Sequence, residues 1–140
     1  MKEYSRFSQA YKKAAVSTMD QRKLIVMLYD GAIRFLSNAI TRMEEKNTYE
    51  AHRNMVKAKS IIAELMGSLN LERGGDIASN LQRLYIFMFN ELIEANLKRD
   101  TQRINQVIEL LKQLREGWEA IKGQGEQGPK EQKKNINVKG

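Results

Sequence analysis

Proton transfer near neutral pH needs a group such as histidine, covalent catalysis needs a nucleophile beside a base, and Lewis-acid chemistry needs a cluster of metal ligands. The chain offers little of this. It has one histidine, His52, and no cysteine, so thiolate catalysis, disulfides and cysteine-based zinc sites are excluded. Bundle-type di-iron sites take two Glu-x-x-His elements from different helices, which a single histidine cannot supply. Carboxylates are plentiful, but nearly all fall on polar faces. Asp30 beside Tyr29, and Glu94 near Asn96, read as helix-surface hydrogen-bonding groups. Gly74 and Gly75 ahead of Asp76 would suit an anion at a helix N-terminus, yet no strand precedes them and no GxxxxGK[ST] pattern accompanies them. They read as a turn. The residues predict no enzyme, no cofactor and no metal site.

The elements that carry these residues follow from periodicity. A chain of 140 residues with 41% hydrophobic and 29% charged residues and one proline fits a single helical domain. Residues 1–17 form a weak helical pattern through Tyr4, Phe7, Tyr11 and Val16. A helix that short is marginal alone, so the segment is expected to dock or detach as a mobile lid. Thr18 and Gln21 make a capping-box pair for a first long helix reaching about Lys46. Two seams run along it: Ile25, Leu28, Ala32, Phe35 and Ala39, then Tyr29, Ile33, Leu36, Ile40 and Met43. Together they span more than the ~100° stripe of a helix with one neighbour, so this helix touches at least two others.

Asn47 or Thr48 caps the next helix, whose seam Ala51, Met55, Ala58, Ile62, Leu65, Leu69 alternates without a fault. The glycine pair then supplies a turn and Asp76 a cap for a third helix. Asp100 caps a fourth, with the seam Ile104, Val107, Leu111, Leu114, Trp118, Ile121. Short turns between long helices predict an all-α, antiparallel up-and-down four-helix bundle over 18–122, with a short mobile N-terminal helical segment and a disordered basic tail over 123–140. From Lys122 onward, five lysines and two glutamates contribute +3 of the net +7 charge, so the basicity says little about the folded domain. The remaining basic residues are interspersed with acids on every helix, which predicts a solvated surface. No helix-turn-helix, zinc site or basic zipper is present, and the aromatics fall at core spacing, so no nucleic-acid partner is expected. The start lacks an apolar run of signal-peptide length, and no segment approaches 18 uninterrupted apolar residues, so a cytoplasmic protein with no membrane insertion is expected.

Within the third helix, Leu84 to Phe89 reads Leu-Tyr-Ile-Phe-Met-Phe. At roughly 100° per residue, six consecutive apolar positions circle the helix, and one buried face cannot hide them all. Turning Leu81, Leu84, Tyr85, Met88, Leu92 and Ala95 to a core leaves Ile86, Phe89, Ile93 and Leu97 as a second stripe. That surplus is expected to be covered by residues 1–17, by a second copy, or by an amphipathic helix from a partner.

The chain also resembles a known family, the flagellin-specific export chaperones FliS. The resemblance runs from Tyr11 to about Trp118. It is carried by Lys23-Leu24-Ile25, Met27-Leu28-Tyr29-Asp30-Gly31-Ala32, Lys57-Ala58, Ile61-Ile62, Glu64-Leu65, Leu69-Asn70, Gly74-Gly75-Asp76-Ile77-Ala78, Asn80-Leu81, Leu84-Tyr85, Met88, Leu92, Ala95-Asn96, Asp100, Leu114-Arg115 and Trp118, in that order and spacing. It implies a bundle that holds the C-terminal segment of flagellin in the cytoplasm, prevents premature polymerisation and delivers it to the flagellar type III export apparatus. An export gate component and other flagellar regulators are further partners it implies, for a monomer or weak dimer. The partner-binding positions it implies are Tyr4, Phe7 and Tyr11, with Leu24, Leu28 and Tyr29 on the first long helix and Ile86, Phe87, Phe89, Ile93 and Leu97 on the third. Two places depart from the family's usual pattern. Thr18-Met19 stands where Ser/Thr-Pro is common, and Ile86-Phe87 where Asp-Tyr is frequent. The rival reading is a helical adaptor or anti-sigma-factor-binding module using the same surface.

Overall fold

A computed structural model describes residues 21–127, with side-chain surroundings for 22–120. The described residues form four helices: α1 (Gln21–Glu44), α2 (Thr48–Gly67), α3 (Leu71–Lys98) and α4 (Thr101–Gln127). Short turns reverse the chain at each junction, and each helix packs on its sequence neighbours while α4 closes against α1. This is the expected up-and-down bundle. Thr18, the predicted cap of α1, and the segment with Tyr4, Phe7 and Tyr11 lie outside the described residues. α4 continues to Gln127, past the expected domain boundary at 122.

The turns are built by local chemistry. Asn47 caps α2, its side-chain oxygen accepting from the Glu50 N–H at 3.2 Å. Asp100 does the same for α4, accepting from the Arg103 N–H at 3.2 Å. Each satisfies one of the amides a helix start leaves without an intrahelical partner. At the α2–α3 junction the structure corrects the sequence reading. α3 begins at Leu71 under an Asn70 cap, whose oxygen accepts from the Arg73 N–H at 3.0 Å, and not at the Asp76 cap. The glycines still interrupt the helix: Gly75 has φ 56 and ψ −132, so α3 is a short first turn and a long second part across a break. Glycine alone adopts that backbone freely. At Gly74 a Cβ would come within 2.5 Å of the Ala78 side chain, so close packing holds the neighbouring position small.

The core draws on every helix. Leu28, Ala32, Phe35, Leu36 and Ala39 of α1 join Met55, Ala58, Ile61, Ile62 and Leu65 of α2, Tyr85, Met88, Leu92 and Ala95 of α3, and Ile104, Val107, Ile108 and Leu111 of α4. Both seams predicted on α1 are covered, with Ile33, Ile40 and Met43 packed at the core's margin. By length and composition α1 could cross a membrane, but its apolar arc is the part of the chain most engaged in this core.

Three polar side chains meet inside the bundle. The Tyr29 and Tyr85 hydroxyls lie 2.5 Å apart, joining α1 to α3 across the diagonal, and Trp118 Nε1–H of α4 donates to Tyr29 Oη at 3.1 Å. A buried hydroxyl without such partners would be costly, so the set selects one alignment of three helices. Burial raises the Tyr29 pKa above its ordinary value, and the hydrogen bonds from Tyr85 and Trp118 offset part of that rise. Outside the core, Arg115 of α4 engages the Asp30 carboxylate of α1 through Nε and Nη2.

Candidate functional site

The surplus apolar surface expected on the third helix is present. Ile86 is 44%, Phe87 50%, Ile93 37% and Leu97 76% exposed, while Phe89 is half-buried against the core. Placed at about 100° per residue, Ile86, Ile93 and Leu97 fall within about 40° of one another, one stripe along α3, with Phe89 between it and the core.

Hydrogen bonds show which neighbours flank the stripe. Asn96 lies on the same side of α3, and its amide donates to His52 Nδ1 of α2 at 2.9 Å. Arg103 of α4 reaches Glu91, on the opposite side, at 3.4 Å. The stripe therefore borders the α2 side and forms one wall of an α2/α3 groove. Lys59 and the exposed Ala63 lie on the same face of α2 as His52. The sequence reading gave His52 no role. The structure makes it a cross-helix acceptor at the groove's rim, and nothing in sequence pairs it with Asn96. The Asn96 Oδ1 is buried with no partner among the described residues.

Phe87 parts from its companions. It lies about 100° around α3 from Ile86, on the α4 side with Leu84 and Glu91. A polar ridge of Arg83, Asn90 and Glu94 separates it from the stripe. Ile86 and Phe87, adjacent in sequence, thus border two different grooves.

The candidates on the first long helix are elsewhere again. Leu28 and Tyr29 are core residues at 1% and 0% exposure, and Leu24 is buried at 3%. Their side chains present no surface to a partner in this structure, and Tyr29 instead holds the inter-helix hydrogen bonds. Tyr4, Phe7 and Tyr11 lie outside the described residues.

An all-helical up-and-down bundle with an exposed apolar stripe on one helix defines a class, the helical bundles with one unpartnered apolar face. Comparison narrows the class: a family model, "Flagellar protein FliS", matches residues 4–125, and the chain belongs to the FliS family. Relatives named flagellar secretion chaperone agree. The FliS of Vibrio cholerae is 38% identical over 81% of this chain and 86% of its own length. FliSB of Pseudomonas aeruginosa is 36% identical over 86% of this chain and 96% of its own. The FliS of Salmonella typhimurium is 36% identical over 82% and 86%.

Proposed function

We propose that the chain is a cytoplasmic export chaperone that binds the C-terminal segment of flagellin in the α2/α3 groove, keeps it from polymerising and hands it to the flagellar type III export apparatus. The observation that carries this reading is the stripe Ile86, Ile93 and Leu97, which no other described residues bury in the core, on a chain whose relatives are named for flagellar secretion. Burying each such side chain is worth on the order of 1.5 to 3 kcal/mol before ordering costs, enough for three or four anchors of an amphipathic helix to drive binding. The mechanism is stoichiometric and needs no nucleotide. Residues 1–17, through Tyr4, Phe7 and Tyr11, cover the groove in the empty chaperone and are displaced by flagellin, which lowers apparent affinity by the open fraction while keeping the stripe out of water.

Calorimetric titration with the last ~40 residues of flagellin, a length suited to helical anchors in a groove, tests this reading. One-to-one binding that Ile93→Asp abolishes is the expected result. No binding, or binding indifferent to Ile93→Asp and Leu97→Asp, would overturn it. Removing residues 1–17 is expected to raise flagellin affinity or promote self-association, and the lid fails if neither changes.

A further inference from the structure

The α1–α2 and α3–α4 turns meet at one end of the bundle, and between them lies a hollow of about 300 Å³ lined by Met43, Lys46, Thr48, Ala51 and Arg99. Ligand pockets run from roughly 300 to 1,000 Å³, so this one suits a small group, not a cofactor. Its walls combine two chemistries: Met43 and Ala51 are apolar, while Lys46 and Arg99 are cations. Both cations sit on left-handed residues, φ 64 at Lys46 and φ 54 at Arg99, so the turn backbone itself sets where each side chain departs. Among the described residues neither enters an ion pair. Of the acids in these turns, Glu45 is held by Arg42 at 2.7 Å and Asp100 by Arg103 at 3.2 Å, while Glu44 is exposed at the end of α1. Thr48 opens α2, whose N-terminal dipole adds to the positive field. The exposed stripe on α3 ends at Leu97, two positions before Arg99, so stripe and hollow lie at the same end of the bundle.

We propose that the hollow receives the free C-terminal carboxylate of the polypeptide bound in the groove, with its last apolar side chain against Met43 and Ala51 and the carboxylate between Lys46 and Arg99. This rests on the groove reading above and adds to it a direction: the bound segment runs parallel to α3, its negative end at the two cations. A chain end fits better than an aspartate or glutamate side chain, because α3 and its groove stop here and a continuing segment would have to bend over both turns. The preference is for a peptide that ends in an apolar residue with an unblocked carboxylate.

The test is calorimetric titration of the full chain with the flagellin C-terminal peptide in two forms, free acid and C-terminal amide. The acid is expected to bind about tenfold more tightly. A Lys46→Asn/Arg99→Asn double variant, with asparagine chosen because it tolerates the left-handed backbone, should bind both forms with the amide's affinity and keep the parent's helical circular dichroism. Equal affinity of acid and amide for the parent chain overturns the carboxylate site and leaves the groove reading standing. A tenfold gap that survives in the double variant overturns the assignment to Lys46 and Arg99. Failure of both forms to bind the parent chain overturns the flagellin reading and this one with it.

Discussion

α1 and α3 carry the same kind of sequence pattern, two apolar seams each, and meet opposite fates. In α1 the second seam, with Leu36 and Tyr29 fully buried, is absorbed into the core. In α3 the second stripe is left outside the core formed by the described residues, with Ile86, Ile93 and Leu97 exposed. The angle between seams separates the cases. At about 100° per residue the two α1 seams lie about 80° apart, close to the roughly right angle that two neighbours subtend at a corner of a four-helix bundle. The core seam and the outer stripe of α3 lie about 130° apart, too wide for one pair of neighbours to cover both. A second seam at a right angle to the first thus signals a second neighbour inside the bundle, and one at a wider angle lies beyond the reach of both bundle neighbours.

The largest test of this contrast compares matched truncations. Leu36→Ala on the covered seam of α1 should cost about 2–5 kcal/mol through lost burial and a cavity. Leu97→Ala on the open stripe of α3 should cost under about 1 kcal/mol, because the residue is 76% exposed in the folded state. Chemical denaturation of both variants checks it, and similar losses would mean that the α3 stripe is core after all. Next comes the break that α3 carries at Gly75. Gly75→Ala should destabilise by about 1–3 kcal/mol, since no neighbour lies near its Cβ position and the strain of φ 56, ψ −132 is the whole effect. A neutral result would mean that the helix can run straight through this point.

A smaller effect is expected where the two helices touch. Tyr29→Phe removes the acceptor of Trp118 and the partner of Tyr85, at a cost of about 1–2 kcal/mol near neutral pH. Because burial raises the folded Tyr29 pKa above its unfolded value near 10, its stabilisation is complete below about pH 10 and is lost as pH climbs from there through the folded value. Melting curves between pH 9 and 11.5 should fall more steeply for the parent than for Tyr29→Phe, and parallel falls would contradict the burial argument. Smallest in stability is Leu97→Asp at 76% exposure, expected to move the melting temperature by no more than about 2 °C while weakening the flagellin peptide at least tenfold. Phe87→Asp should leave that affinity nearly unchanged if the α2/α3 groove alone is used, and a large loss would bring the α4 side into the interface.

Much of the bundle was readable because a seam such as Ala51, Met55, Ala58, Ile62, Leu65 admits only a helix with a buried face, and because Asn47 and Asp100 are caps by type and position. The α3 start was misplaced because two caps compete within seven residues. Asp76 follows the glycine break, but Asn70 already holds the Arg73 amide before it. The site was legible as a surplus of apolar residues, though not in its arrangement. The run Ile86-Phe87 looked like one patch, yet consecutive residues on a helix point about 100° apart. Leu28 and Tyr29 match the family pattern and are buried in the core, and conformity to a pattern does not separate core from interface. The hollow at Lys46 and Arg99 had no sequence signal, because two turns far apart in the chain must first be brought together.

The Tyr85–Tyr29–Trp118 contact also has an optical meaning. Trp118 is the only tryptophan in the chain, and its indole N–H is committed to α1 through Tyr29. Its emission therefore reports the seating of α4 on α1 without any label. Two tyrosines sit within energy-transfer range of it, so excitation of the tyrosines should appear as tryptophan light while the bundle is closed and revert to tyrosine emission when α4 leaves.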